Sequence, residues 1–371
     1  MILYRWHGAS SNFGDELNTI LWPRLLPGFF DQDPAIRFLG IGSVLDQRHS
    51  SQVIKLVAGS GYGGYERKPH LDENWIIHWV RGPRTAAALG LAAELALGDP
   101  AVLVPKAMHV ATPEGRDIGF MPHFESAAWG DWEQAADLAG VRLIDPRGPP
   151  FAILQAIGRC KLLLSEALHG VIVADALRVP WIAIRPSARV HRAKWRDWAE
   201  TMDLRPRFLD LPASTLAEWV GTSKLGLFHP TRVWLRRQEC PLKQITPQRP
   251  VTPEPAVTPE PLVMLEHPVL QERAVTPERA VTSERLGTSE RPGTSERLVT
   301  RAGNALRLAA SASPQLSADT TLDRCQSRML DAVHSVRMNP LRGKPPVAPL
   351  VHLRSCLQAS DDSAYQLALI G

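Results

Sequence analysis

Residues suited to proton transfer follow an apolar run in "LLLSEALHGVIVADAL" (162–177). The run ends at Ser165 and Glu166, and His169 falls in the first turn of the helix predicted after it. Side chains at the carboxyl end of a strand in an α/β sheet face the crevice where such proteins bind ligands. His169 is therefore a candidate for chemistry at this edge, and a buried structural histidine is the alternative.

Carboxylates occupy a similar place near the start of the chain, in "SSNFGDELN" (10–18). Asp15 and Glu16 follow a Gly-bearing loop and open a predicted helix, whose first amide groups lack intrahelical partners. Such a helix start can bind an anion, but carboxylates in a first turn also satisfy the helix dipole. The pattern leaves Asp15 either as an ordinary cap or as a catalytic carboxylate.

Cationic side chains lie at other strand ends and indicate an anionic ligand. Arg81 ends a strand in "HWVRGPRT", where its guanidinium could bind a carboxylate or phosphate through two hydrogen bonds. His191, Arg192 and Lys194 follow the last predicted strand, and Ser60 follows an early one. A small, multiply charged anion is the ligand that this set favours.

Several enzyme classes lack their sequence signatures in this chain. It has no HExxH, no GxGxxG after a strand, no P-loop and no GxSxG motif. The four cysteines are widely spaced, without the spacing of a zinc site or a disulfide framework. We therefore expect no metal and no cofactor, and the cysteine usage favours the reducing cytoplasm.

The elements that must position these residues alternate between strands and helices up to about residue 225. This alternation predicts an α/β fold of two Rossmann-like lobes with parallel sheets, over 1–110 and 111–244. A helix is predicted over "PRTAAALGLAAELA". The strand candidates are "MILYRW", "IRFLGIG", "VIKLVAGSG", "WIIHWVRG", "DPAVLVP", "IGFMPHF", "VRLIDP", "CKLLLSE" and "VPWIAIRP".

The composition changes after residue 244, where "AVTPER", "AVTSER" and "LGTSER" recur with a period of six. Segments rich in Pro, Thr, Ser and Glu cannot bury a core, so residues 245–300 are predicted to be a disordered insertion. "TLDRCQSRMLDAVHSVRM" has apolar residues at helical spacing, which predicts a helical return segment over 301–340. Residues 341–371 are predicted to be a disordered tail.

The overall composition is that of a globular protein, with 371 residues, 44% hydrophobic residues and a formal net charge of +4. The positive charge is not gathered into lysine-rich blocks, so we expect no nucleic-acid partner. No apolar run approaches the roughly 20 residues that span a bilayer. Any membrane contact, for instance at the inner membrane, is expected to be peripheral.

Six motifs in this order resemble the polysaccharide pyruvyl transferase family, in particular its bacterial exopolysaccharide members. They are "NFGDELN", "GSG", "VRGPRT", "LGDPAVL", "MPHFES" and "SEALHGVIVADALRVPWIAI". The resemblance covers residues 1 to 225 and the late helix near 320–337. It implies a GT-B-like fold, phosphoenolpyruvate as donor substrate and a lipid-linked oligosaccharide or polysaccharide as acceptor, with a pyruvate ketal as product.

The resemblance also implies roles for individual residues. Arg81 and the Leu168–His169 pair would belong to the donor site, His169 would transfer a proton or contact phosphate, and Asp15 or Glu166 would serve the sugar hydroxyl. Many relatives have arginine where this chain has Ala167, so Lys194 or Arg192 is the candidate replacement. The binding candidates in the motifs and loops are completed by Asn12 and Ser60.

Two other functions remain open at this point. A GT-B-type glycosyltransferase that uses a nucleotide sugar could share the two-lobed fold, with Glu166 on the ribose, because fold does not fix function. A non-catalytic glycan-binding relative is the third interpretation, and the residue at Ala167 is its one hint.

Overall fold

The computed structural model describes residues 1–6, 11–111, 117–185, 192–222 and 293–341, which all belong to one compact unit. His191, the greater part of the predicted insertion and nearly all of the predicted tail lie outside these ranges. The structure confirms an α/β fold with two parallel sheets.

The first sheet has four parallel strands in the order β1-β2-β3-β4, so each strand pairs with the next one along the chain. Strands β3 and β4 are largely buried, as is usual for parallel sheets, whose faces are covered by helices. Helix α1 (Phe13–Leu25) follows the first strand. The strands are β1 Ile2–Tyr4, β2 Ile36–Leu39, β3 Ile54–Ala58 and β4 Trp75–Trp79.

The second sheet has five parallel strands in the order β6-β5-β7-β8-β9. The chain leaves β5 on one side to form β6 and returns on the other to form β7, which makes a topological switch point between β5 and β7. Ligand crevices of open α/β sheets lie at such points. The strands are β5 Asp117–Met121, β6 Arg142–Leu143, β7 Cys160–Ser165, β8 Trp181–Arg185 and β9 Phe208–Asp210; β9 was not predicted.

Helices pack around both sheets, and α1 contacts α6 and α7 beside the second sheet. The remaining helices of the described residues are α2 Pro83–Leu89, α3 Val104–Ala107, α4 Phe124–Trp129, α5 Trp132–Ala139, α6 Pro150–Gly158, α7 Leu168–Ala176, α8 Arg192–Thr201, α9 Leu216–Thr222, α10 Thr294–Ala309 and α11 Asp319–Met338, with short 3₁₀ helices at Ala93–Leu95 and Pro100–Leu103.

Two predicted elements differ from the structure. The prediction of a strand over "DPAVLVP" is wrong, because this segment forms the 3₁₀ helix and then α3. Asp99 caps this turn by accepting from the Ala101 amide at 3.0 Å, and Pro100 suits a first helical position. The helix predicted from Pro83 ends early, since Gly90 takes a left-handed conformation at its C-cap.

The return helices pack back on both sheets. Helix α10 lies against α5, so closely that a Cβ on Gly303 would be 2.9 Å from the Ala135 carbonyl oxygen. Helix α11 is held to the first half of the chain, where Gln326 donates to the Val102 carbonyl at 2.9 Å. Because α10 begins at Thr294, the insertion predicted to reach residue 300 cannot extend that far. Within the described residues, no helix is long and apolar enough to cross a membrane.

Candidate active site

His169 lies where the two halves of the chain meet. Strand β7 ends at Ser165, whose hydroxyl accepts from the Ala167 amide at 3.0 Å and so shapes the turn into α7. Leu168 then packs in the core at 7% exposure, which makes it an anchor for the helix start rather than an exposed binding residue. His169, on the next position, keeps 15% of its side chain exposed.

The "NFGDELN" segment supplies the surface against which His169 rests. A Cβ built on Gly14 would overlap the imidazole ring, so only glycine allows the ring to lie directly on the start of α1. The helix-start residues of α1 and α7, predicted as separate candidates, are therefore brought together at one place.

Asp15 is the carboxylate beside His169. It is 8% exposed, and burial raises its pKa. The charge on His169, a hydrogen bond from Asn12 and the charge on Lys194 oppose this rise in the pKa of Asp15. Two of the predicted site residues, His169 and Lys194, therefore act on the same carboxyl.

Asn12 positions Asp15. Its side-chain amide donates to Asp15 Oδ2 at 2.7 Å, and its own side chain makes no cap hydrogen bond to the helix. On the other side of Asp15, a Cβ on Gly42 would lie 3.3 Å from Oδ1, and Gly42 has φ of +128°. Asp15 is thus packed between α1 and the loop after β2, and Asn12 supports it from its own helix start.

Lys194 approaches this site from α8. Its ammonium nitrogen lies 5.3 Å from the centre of the Tyr65 ring, a cation–π distance. Arg192, at the first position of α8, is exposed. The structure thus places the Lys194 charge near Asp15, whereas Arg192 lies on the exposed side of the same helix.

Arg81, predicted to bind a carboxylate or phosphate, is already paired with protein groups. It is 1% exposed, and its Nε donates to Asp197 Oδ2 at 3.0 Å. Its Nη1 donates to Ser43 Oγ at 2.7 Å. A Cβ on Gly61 would overlap the guanidinium, so the group is enclosed as well as paired. Arg81 thus forms a buried ion pair that connects the end of β4 to α8.

Asp197, the partner of Arg81 in this ion pair, was not selected from the sequence. Besides Arg81, it accepts from the Thr85 amide at 2.9 Å and from the Thr85 hydroxyl at 2.6 Å, and so caps the start of α2 from another helix. Its position between two core tryptophans gave no signal of this contact, which joins residues far apart in sequence.

Glu166 lies at the switch point but is already bonded. Its Oε2 accepts from the His123 amide at 2.8 Å, and its Oε1 accepts from the Ser126 hydroxyl at 3.0 Å, which holds the start of α4. Burial raises the pKa of Glu166 to about 8, and the two hydrogen bonds oppose that rise. This environment indicates a structural carboxyl that is largely neutral near pH 7.

Ser60 is likewise structural in this arrangement. It is fully buried, and its hydroxyl donates to the Gly40 carbonyl at 2.6 Å, which joins the loops after β2 and β3. Its backbone carbonyl accepts from the Arg81 amide at 3.1 Å. The prediction that Ser60 contacts substrate therefore lacks an accessible hydroxyl.

Asp99, which lies in the "LGDPAVL" motif, is the other neighbour of His169. Its Oδ2 lies 3.5 Å from His169 Nε2.

Within the described ranges, no group of three or more His, Cys, Asp or Glu residues is arranged to hold a metal ion.

The comparisons with known proteins agree on one family. A model of the polysaccharide pyruvyl transferase family matches residues 78–187. The chain is 41% identical over 224 residues to the succinoglycan biosynthesis protein ExoV of Rhizobium meliloti (strain 1021). The matched region covers 58% of this chain and 69% of that relative. No solved structure matches. The chain therefore belongs to the polysaccharide pyruvyl transferase family and is a pyruvyltransferase enzyme.

Proposed function

We propose that the protein transfers the pyruvyl group of phosphoenolpyruvate to two hydroxyls of one sugar in an exopolysaccharide repeat unit, forming a pyruvate ketal. The observation that carries this proposal is the meeting of His169 and Asp15 at two helix starts, in a member of this family. The name of the relative, a succinoglycan biosynthesis protein, supports an exopolysaccharide acceptor, either lipid-linked oligosaccharide or polysaccharide.

The reaction requires two proton transfers that the site must manage. The donor methylene gains a proton and becomes a methyl group, and a sugar hydroxyl attacks the neighbouring carbon with loss of its own proton. Phosphate then leaves with its bonding electron pair, and a second hydroxyl closes the ketal while its proton departs with phosphate. The proton lost by the first hydroxyl replaces the one that the methylene took, so the enzyme ends unchanged once this proton has passed from the base to the acid.

His169 is the proposed group for the methylene proton. An imidazole exchanges protons near neutral pH and is the commonest general acid or base in enzymes. The ring is held against the start of α1 and is partly exposed, so a ligand at that helix start would meet it. Asp15 is the proposed base for the sugar hydroxyl.

Asp15 is preferred to Glu166 for this second role because of their partners. The Asp15 carboxyl is bonded by one side chain, that of Asn12, and adjoins His169. Both carboxylate oxygens of Glu166 accept hydrogen bonds from residues at the start of α4. A raised pKa, as burial gives Asp15, suits a carboxyl that exchanges protons with substrate.

Lys194 is the proposed contact for the donor's carboxylate or phosphate. It supplies positive charge near Asp15, in place of the arginine that the family resemblance leads us to expect where this chain has Ala167. Arg192, two residues earlier on α8, is the second candidate. Arg81 is proposed to act indirectly, by fixing the loop after β4 against α8.

The glycosyltransferase interpretation receives no support from the comparisons, which point to pyruvyl transfer. We propose that the two sheets form a GT-B-like pair of lobes, in keeping with two parallel sheets and a switch point in the second. No cofactor is proposed, and any membrane contact is proposed to be peripheral, on the cytoplasmic side of the inner membrane.

Label transfer tests the proposal. The full chain is incubated with a pool of lipid-linked oligosaccharides and phosphoenolpyruvate that carries ¹⁴C in the pyruvyl carbons or ³²P in the phosphate. We expect ¹⁴C, but not ³²P, in the lipid fraction, and equal release of ³²P as phosphate. Transfer of label from a nucleotide sugar in place of phosphoenolpyruvate would contradict the proposal.

A further inference from the structure

Asp99 is a fully buried carboxylate, and among the described residues only one of its oxygens has a hydrogen-bond partner. Oδ1 accepts from the Ala101 amide at 3.0 Å and caps the 3₁₀ helix. Oδ2 has no hydrogen-bond partner among the described residues. Buried polar atoms are almost always paired, since an unpaired one costs about 1–3 kcal/mol, so this oxygen needs an explanation.

The group that faces this oxygen is His169. Its Nε2 lies 3.5 Å from Asp99 Oδ2 and also lacks a hydrogen-bond partner among the described residues. Hydrogen bonds from ring nitrogen to oxygen are normally about 2.7–3.2 Å. A shift of a few tenths of an ångström would close this one, and such bonds often tighten only when substrate binds.

The two nitrogens of the His169 ring face different surroundings. Nε2 is turned towards Asp99, within the protein. Nδ1 is turned towards the start of α1, where Gly14 leaves space for it and where Asp15 and, from α8, the charge of Lys194 are near. Only the Nδ1 edge therefore faces the proposed substrate site.

We propose that Asp99 is a positioning residue that accepts a hydrogen bond from Nε2–H of His169. This bond would keep the neutral imidazole in the tautomer with its proton on Nε2, so that Nδ1 is left as the nitrogen that takes up a proton and then passes it to the donor methylene. In general, the partner of one ring nitrogen determines what the other can do. The inference rests on the proposed function for the role of Nδ1, but the tautomer itself does not depend on substrate.

The tautomer can be read in the wild-type protein without donor or acceptor. Long-range ¹H–¹⁵N spectra of ¹⁵N-histidine protein, at an alkaline pH where free imidazoles are neutral, show which nitrogen carries the proton. The His169 signals are assigned by their absence in His169→Gln. We expect the proton on Nε2, and a proton on Nδ1 would overturn the proposal.

Asp99→Asn tests the effect on catalysis. Asparagine keeps an oxygen for the Ala101 amide but removes the fixed acceptor for Nε2–H, so the 3₁₀ helix should survive while the tautomer becomes mixed. We expect kcat to fall about a hundredfold or more, with KM for phosphoenolpyruvate changed by less than about threefold. The matched control is Asp175→Asn, because Asp175 is a buried carboxylate on α7, the helix of His169, that pairs with Trp181 and Ser317 instead.

The outcomes separate this inference from the proposed function. An unchanged His169 spectrum and near wild-type kcat in Asp99→Asn, with His169→Gln inactive, would leave Asp99 as a cap alone and overturn the inference. Full activity in His169→Gln would instead overturn the catalytic role of His169, whatever its tautomer. An equal loss of kcat in Asp175→Asn, with both variants folded, would also overturn a specific role for Asp99.

Discussion

The imidazole of His169 fills the space that a side chain on Gly14 would occupy. This contact joins the "NFGDELN" segment at the start of the chain to the first turn of α7, beyond β7 of the second sheet. It explains why glycine stands at the second position of α1, where helix propensity alone would favour alanine.

Gly14→Ala is expected to reduce kcat strongly, because the new methyl group must push the imidazole from its place. Alanine favours a helix by up to about 1 kcal/mol over glycine, so any loss of stability would have to come from the clash. The measurement is phosphate release together with thermal unfolding. Gly293→Ala, with open space at its Cβ, is the control. Wild-type turnover in Gly14→Ala would show that the ring need not lie there.

Arg81 and Arg84 offer a matched pair, since both extend from the start of α2 to a carboxylate on α8. Arg81 and Asp197 are 1% and 3% exposed, whereas Arg84 and Glu200 are 30% and 39% exposed. Removing one partner of a buried pair typically costs about 3–5 kcal/mol, and an exposed pair contributes about 0–1 kcal/mol. We expect urea unfolding to show this contrast between Arg81→Ala and Arg84→Ala.

Equal and small effects of these two substitutions would contradict the structural role of Arg81. In that case, an increase in KM for phosphoenolpyruvate in Arg81→Ala alone would favour the direct donor contact that the family resemblance implies.

Glu166 should make the protein less stable as the pH rises. Burial raises its pKa to about 8 from an ordinary 4.5, so between these values the folded protein holds a proton that the unfolded chain has lost. Its stabilising contribution is complete below about pH 4.5 and declines up to about pH 8, by at most about 1.4 kcal/mol per pH unit.

Glu166→Gln should remove this component of the pH dependence, because glutamine mimics the protonated carboxyl. The measurement is the free energy of unfolding of both proteins between pH 5 and about pH 8. Their difference isolates Glu166 from other buried carboxyls, such as Glu218. Parallel pH profiles would mean that Glu166 is ionised throughout this range.

We predict that the repeat segment is dispensable for the stability of the fold and that α10 is required for it. Deleting residues 250–290 should change Tm by no more than about 2 °C, because the composition there cannot form a core. Extending the deletion to residue 309 removes Val299 and Leu306, which are buried at 3% and 0% exposure and are each worth about 1.5–3 kcal/mol. Equal Tm values for both deletions would show that α10 does not stabilise the fold.

Sequence periodicity predicted most of the sheet strands, because parallel strands such as β3 and β7 are short apolar runs with clear boundaries. It missed β9, and it mistook "DPAVLVP" for a strand. An apolar run of that length has no period that separates a strand from a buried helical turn, and the cap by Asp99 decided the outcome.

The candidate site was predictable in part for a similar reason. Strand ends and helix starts are visible in sequence, so His169, Asp15 and Lys194 could be selected. The partners of buried charges are not visible, because they depend on contacts between distant segments. Nothing near Arg81 in sequence reveals its partner Asp197, and nothing near Asp99 reveals His169, because both contacts are made only by folding.

The proton-transfer role of His169 is tested most directly by phosphate release from phosphoenolpyruvate in the presence of lipid-linked oligosaccharides. Release is measured for wild type and His169→Ala at saturating donor. We predict that turnover falls by about a hundred- to ten-thousandfold, as for loss of a proton-transfer residue, with a smaller change in KM. Circular dichroism should show the same fold for both proteins. Near wild-type turnover in His169→Ala would contradict the account and leave His169 as a structural residue at the start of α7.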